Sequence, residues 1–115
     1  MIKRNAEMQK EVRERMRDGT GSVEILHVFK KDELGGRTRL FARLRVTPGS
    51  SIGYHEHHDE EEIFFILSGR GSVNDNGTAR EVGPGDAVLT ASGTGHAIAA
   101  VGSEPLELMA VILPY

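Results

Sequence analysis

Apolar and polar positions alternate most regularly between Leu40 and Val46. Leu40, Ala42, Leu44 and Val46 fall on one side of an extended chain, and Phe41, Arg43 and Arg45 on the other. This period of two predicts a strand with one buried face. Arg43 and Arg45 are then read as a solvated outer face, the alternative being a pocket for an anionic substrate. Leu106 to Leu113, apolar apart from Glu107, predicts a buried strand that closes the sheet. Ser22 to Phe29 is rich in β-branched and apolar residues and predicts a first strand, and Ile52 to His57 is compatible with an extended chain. Shorter strands are expected near Gly71 to Asn74, Thr78 to Val82 and Asp86 to Thr90, set apart by the turn signals Asp75-Asn76-Gly77 and Gly83-Pro84-Gly85-Asp86. The N-terminal segment has a different period. Met8, Val12 and Met16 recur every four residues between Asn5 and Arg17, with Asn5 placed as an N-cap, Gly19 as a C′ residue and Glu11–Arg15 as an i,i+4 pair. A short helix is expected there.

The strand from Glu62 to Ser68 adds an expectation about assembly. Glu62, Phe64 and Ile66 share one face, and Ile63, Phe65 and Leu67 the other, so both faces are apolar after the glutamate. Both must be covered, one by the core and the other by a second sheet, the helix or a second copy of the chain. A homodimer is expected on this ground.

Composition narrows the setting. A chain of 115 residues, 38% hydrophobic, fits one domain spanning residues 1–115. Fourteen glycines and four prolines, spread rather than gathered in a tract, suit short strands joined by tight turns. An all-β class follows. A net charge of −3 supplies no basic footprint for nucleic acid. No apolar run is long enough to cross a bilayer as a helix, and the N-terminus lacks the apolar core of a signal peptide, so a cytoplasmic protein without a membrane partner is expected. With no cysteine, any metal must be held by nitrogen and oxygen.

Candidate chemistry is concentrated between Gly49 and Gly69, which holds three of the five histidines beside a run of acids. In an extended strand His55 and His57 point to the same side, as two imidazoles sharing one ion require. His58 is out of phase and is read as exposed. Asp59, Glu60, Glu61 and Glu62 repel one another unless a cation sits among them, and one of the four is a candidate ligand. Tyr54, Glu60 and Glu61 border the histidines and are candidates for proton transfer, Tyr54 and Glu61 being carried forward, against the plainer reading of a surface turn. His27, alone in its strand, is read as a packed or surface residue. Gly93-Thr94-Gly95 lacks the lysine and the following helix of a phosphate loop.

Two stretches together resemble a known family. Gly49, five residues, His55-Glu56-His57, four residues, Glu62, six residues and Gly69 resembles the first signature motif of the cupins. Gly85, five residues, Ala91-Ser92-Gly93, two residues and His96 resembles the second, with Ala91 and Ala100 where the family usually has proline and asparagine. These departures bear on loop stiffness and on hydrogen bonding around the ligands. The resemblance is to small single-domain members of the RmlC-like cupin superfamily. It implies a double-stranded β-helix, or jelly-roll barrel, over residues 22–115 after an N-terminal helical segment at 1–21. It also implies one ion held by His55, His57, Glu62 and His96. Three imidazoles and a carboxylate suit a divalent transition ion, with iron or manganese favoured and nickel, cobalt or zinc also compatible. An octahedral ion would keep adjacent positions open for a substrate. The function implied is a metal-dependent enzyme acting on a small polar oxygenated molecule such as a sugar, a keto acid or a hydroxy acid. Isomerase, dioxygenase, decarboxylase and lyase chemistry all remain open. The alternative is a small-molecule-binding or sensor module without catalysis, favoured by the absence of a recognisable acid/base dyad near His96.

Overall fold

The alternating segments pair over long sequence distances into ten strands, as described by a computed structural model of residues Met1–Tyr115. They are β1 (Gln9–Glu14), β2 (Ser22–His27), β3 (Leu40–Val46), β4 (Ser51–Glu56), β5 (Glu60–Ser68), β6 (Arg70–Asp75), β7 (Thr78–Val82), β8 (Ala87–Thr90), β9 (Gly95–Val101) and β10 (Leu106–Pro114). Two antiparallel sheets result, one ordered β1-β2-β3-β10-β5-β8 and the other β4-β9-β6-β7. Consecutive strands repeatedly change sheet, which gives the all-β jelly roll expected from the sequence.

The core lies between the inner faces. In the larger sheet Leu108 of β10 stands opposite Leu44 on β3 and Ile66 on β5. In the smaller sheet Ile98 of β9 stands opposite Ile52 on β4 and Val73 on β6. All six side chains are buried and belong to one apolar cluster with Val23, Ile25 and Phe64. Each fully buried side chain of this kind contributes about 1.5–3 kcal/mol of transfer free energy. The predicted alternation in β3 holds, with Ala42, Leu44 and Val46 inside. Arg43 and Arg45 lie on the outer face, where both pair with Glu107.

The expected N-terminal helix is not formed. Its central residues are strand β1, paired with β2 from Gln9↔His27 to Glu14↔Ser22. Three apolar residues at intervals of four bury too little to hold an isolated short helix. The open edge of β2, by contrast, offers a row of backbone donors and acceptors. Val12 of the supposed seam is 53% exposed. Arg15, Arg17 and Asp18 take left-handed backbone conformations, with φ of 49°, 55° and 62°, which a helix cannot include. The alanine-rich β9 carried no strand expectation, because Ala97, Ala99 and Ala100 have weak β preference.

One expected cover is missing within the chain. Phe65, Leu67 and Leu89 on the outer face of β5 and β8 are 45%, 40% and 59% exposed.

Candidate metal centre

Strand pairing brings the separated ligand candidates together. His55 of β4 is the direct cross-strand neighbour of His96 on β9, and Glu62 reaches them from β5 in the other sheet. The β4–β9 register shifts between Ile52 and His55. This irregularity lets both residues face inward although they are three positions apart. His57 follows the end of β4. Its N–H donates to the Thr94 carbonyl at 3.1 Å, and its carbonyl accepts from the Gly93 N–H at 2.7 Å. The loop of the second motif thus holds the last histidine of the first.

Four ligand atoms, one each from His55, His57, Glu62 and His96, lie within 4.8 Å of one another. His96 Nε2 is 3.2 Å from the Nε2 atoms of both His55 and His57. Glu62 Oε1 is 2.9 Å from His96 Nε2 and 3.1 Å from His57 Nε2. His57, Glu62 and His96 are only 2%, 5% and 1% exposed.

The far nitrogens explain why the near ones converge. His55 Nδ1 lies 2.8 Å from the Gly53 carbonyl, and His57 Nδ1 lies 2.6 Å from Glu60 Oε2. A carbonyl and a carboxylate only accept, so both Nδ1 atoms carry the hydrogen and both Nε2 atoms can present lone pairs to the centre. His96 Nδ1 is 2.7 Å from Thr90 Oγ1, which can accept in the same way, and the His96 ring stacks on Phe64 at 4.9 Å. Arg39 grips Glu60 through Nε and Nη2 at 2.8 and 3.0 Å. Partners of this kind orient metal-binding imidazoles and raise their basicity.

The donor set fits a cation. With bonds of about 2.0–2.2 Å, donors at right angles around one ion stand about 3.0 Å apart, and tetrahedral donors about 3.4 Å apart. Four of the six separations here, 2.9–3.2 Å, are short enough for the atoms to share one ion. Electrostatics agree. Without a metal, burial alone would raise the Glu62 carboxyl, but His57 and His96, when they carry a hydrogen at Nε2, donate to it and bring it down to about 2. Glu62 raises the His57 imidazole above its ordinary value against the effect of burial, while burial lowers His55. Burial also opposes ionisation of Glu60, yet Arg39 and His57 hold its carboxyl below its ordinary range. The centre therefore keeps a buried carboxylate beside three imidazoles and favours a positive occupant.

A cavity of about 80 Å³ opens over this group. His55, His57 and Glu62 line it together with apolar Leu44, Phe64 and Ile112, and Glu11, Arg13, Arg17, His27 and Arg39 surround the same space. His27 is therefore a cavity residue, with Nε2 2.6 Å from Glu11 Oε1. Reading β1 as a helix concealed this pair, since only antiparallel pairing with β2 brings Glu11 beside His27. Tyr54 is 47% exposed, with its ring against Gly95, and Glu61 receives a 3.4 Å hydrogen bond from the Tyr115 hydroxyl. Neither lines the cavity. His58 is exposed beside Glu56.

The fold and its histidine-glutamate cluster define a class, and comparison with known proteins agrees with it. The family model described as the cupin domain matches residues 42–112, and this chain belongs to the cupin family. Among individual proteins, it is 42% identical over 113 residues to the oxalate-binding protein of Thermotoga maritima, covering 98% of this chain and 93% of that one. An uncharacterized protein of Methanocaldococcus jannaschii is 32% identical over 100 residues, covering 85% of this chain and 76% of the relative. The crystal structure of a predicted oxalate decarboxylase from Thermotoga maritima superimposes with a TM-score of 0.95 at 41% identity, with all of both chains covered. The cupin domain of Schizosaccharomyces pombe Cnp3 shares the fold alone, with a TM-score of 0.74 at 14% identity over 91% of this chain and 69% of that one.

Proposed function

We propose that this cupin binds a small dicarboxylate of the oxalate kind at a divalent transition ion held by His55, His57, Glu62 and His96. The observation that carries the reading is the convergence of four donors, three buried and His55 half-buried, at a small cavity bordered by three arginines. Three imidazoles and one carboxylate suit a divalent transition ion, iron or manganese first, with nickel, cobalt and zinc compatible. A cavity of about 80 Å³ suits a ligand as small as a two-carbon diacid. The bound ion would act as a Lewis acid towards carboxylate oxygens. Around it, Arg39 and Glu60 orient His57, and the apolar floor limits access of bulk water. The ligand named for the Thermotoga maritima relative fits these limits.

Calorimetric titration of manganese-loaded protein with oxalate tests this proposal. Binding with one oxalate per chain, lost on chelation of the metal, is expected. A folded, metal-loaded protein that binds no small diacid contradicts it.

Turnover of the same diacid is a second reading, favoured by the Glu11–His27 pair at the cavity wall. Decarboxylation releases carbon dioxide and places a proton on the carbon left behind, and an imidazole backed by a carboxylate is suited to relay it. Formate produced from oxalate by the metal-loaded protein would establish this reading, whereas unchanged oxalate would leave binding alone. The exposed Phe65, Leu67 and Leu89 face is proposed as a homodimer interface.

A further inference from the structure

Three arginines border the cavity, and two of them are already neutralised. Arg13 pairs with Glu11 at 3.2 Å and Arg39 pairs with Glu60 at 2.8 Å. Arg17 lies at the solvent-exposed rim of the same cavity and has no carboxylate in ion-pairing reach. An unpaired guanidinium at the rim of a cavity is free to meet an anion held inside it.

The backbone holds this arginine in place. Arg17 sits at φ 55°, ψ 40°, a left-handed conformation that costs a non-glycine residue of order 1 kcal/mol or more. Its carbonyl lies directly on β4, where a Cβ added to Gly53 would come within 1.9 Å of the Arg17 oxygen. The next close approach repeats the device, since a Cβ on Gly19 would come within 2.3 Å of the Ser51 oxygen. Two glycines thus let the β1–β2 connection press against the strand that carries His55, fixing where the Arg17 side chain begins.

We infer that Arg17 is the specificity-determining residue of the cavity, binding the carboxylate oxygens of a small diacid that face away from the metal centre. The inference rests on the dicarboxylate reading above. A planar diacid that uses one oxygen of each carboxylate at the ion leaves its other two oxygens directed outward. A guanidinium offers donors in a planar fork that matches such a pair, and its charge offsets the ligand's second negative charge. Arg17 then separates a diacid from an isostere that carries only one charge.

The test compares manganese-loaded wild type, Arg17→Gln and Arg17→Lys in calorimetric titrations with oxalate and with oxamate, in which an amide replaces one carboxylate. Manganese affinity is measured on the same samples as the control for folding. Arg17→Gln is expected to weaken oxalate binding about 10- to 100-fold while changing oxamate binding less than about 3-fold. Arg17→Lys is expected to fall between, and manganese affinity to stay unchanged. Equal oxalate binding by wild type and Arg17→Gln overturns the role of Arg17 and leaves the dicarboxylate reading standing. Loss of manganese in Arg17→Gln also overturns it, since the residue would then act on the centre rather than on the ligand. If the wild type binds neither compound, the dicarboxylate reading itself falls, and this inference with it.

Discussion

Each histidine of the centre is defined by what its far nitrogen touches. Gly53, Glu60 and Thr90 direct the three imidazoles, and Arg39 in turn fixes Glu60. The ligand candidates were readable from residue types and spacing, because His55 and His57 are two apart and the motif resemblance singles out Glu62 and His96. Their supports were not readable, since Thr90 and Arg39 come into contact only through strand pairing and follow no local pattern. The charges predict a pH signature in metal-free protein. Glu62 is lowered from 4.5 to about 2, so it contributes stability present above pH 4.5 and lost as the pH falls through its folded value. His57 is raised above 6.5, so it contributes stability fully present below pH 6.5 and lost as the pH rises through its folded value. The two contributions overlap between pH 4.5 and 6.5. Glu62→Gln is expected to cost metal-free protein on the order of 1–3 kcal/mol in that window, and less at about pH 3 or about pH 9. Urea unfolding of both proteins in the presence of a chelator measures the difference. An equal loss at all three acidities would contradict this assignment.

The connection between β1 and β2 shows how a local rule can be overridden. Gly53→Ala places a methyl group on the Arg17 carbonyl and is expected to cost about 1–3 kcal/mol of stability, read by thermal unfolding. Manganese and oxalate affinity are both expected to fall, because the Gly53 carbonyl holds His55 Nδ1 on the same strand that the methyl group displaces. A stability change below about 0.5 kcal/mol would show that the close approach is not a constraint. Strand β3 was legible because its two faces differ in polarity, and β5 because β-branched and aromatic residues fill both of its faces. The N-terminal segment was not, since Met8, Val12 and Met16 fit a helical period while the gain from completing the edge of β2 depends on residues far along the chain. The same logic hid β9, whose alanines pack well only because β4 and β6 flank it. The turn residues, by contrast, were readable, as Asn76-Gly77 and Gly85 take the positive φ values their turns require.

In the molecule as a whole, the two sheets divide the work. The inner faces supply the core and the metal centre, and the outer face of β5 and β8 leaves Phe65, Leu67 and Leu89 open. Sedimentation of the wild type is expected to give twice the 12.6 kDa chain mass. Leu89→Lys combined with Phe65→Glu is expected to give the single-chain mass with manganese affinity unchanged. A wild type that sediments as a single chain at about 50 μM would contradict the proposed pairing. The central claim concerns the interior, where strands from both sheets bring four donors to one point. Anomalous diffraction at the manganese edge from crystals of manganese-loaded protein tests it most directly. The account predicts one peak per chain within about 2.0–2.3 Å of the Nε2 atoms of His55, His57 and His96 and of a Glu62 carboxylate oxygen. No peak there, or one at another group of residues, would contradict it.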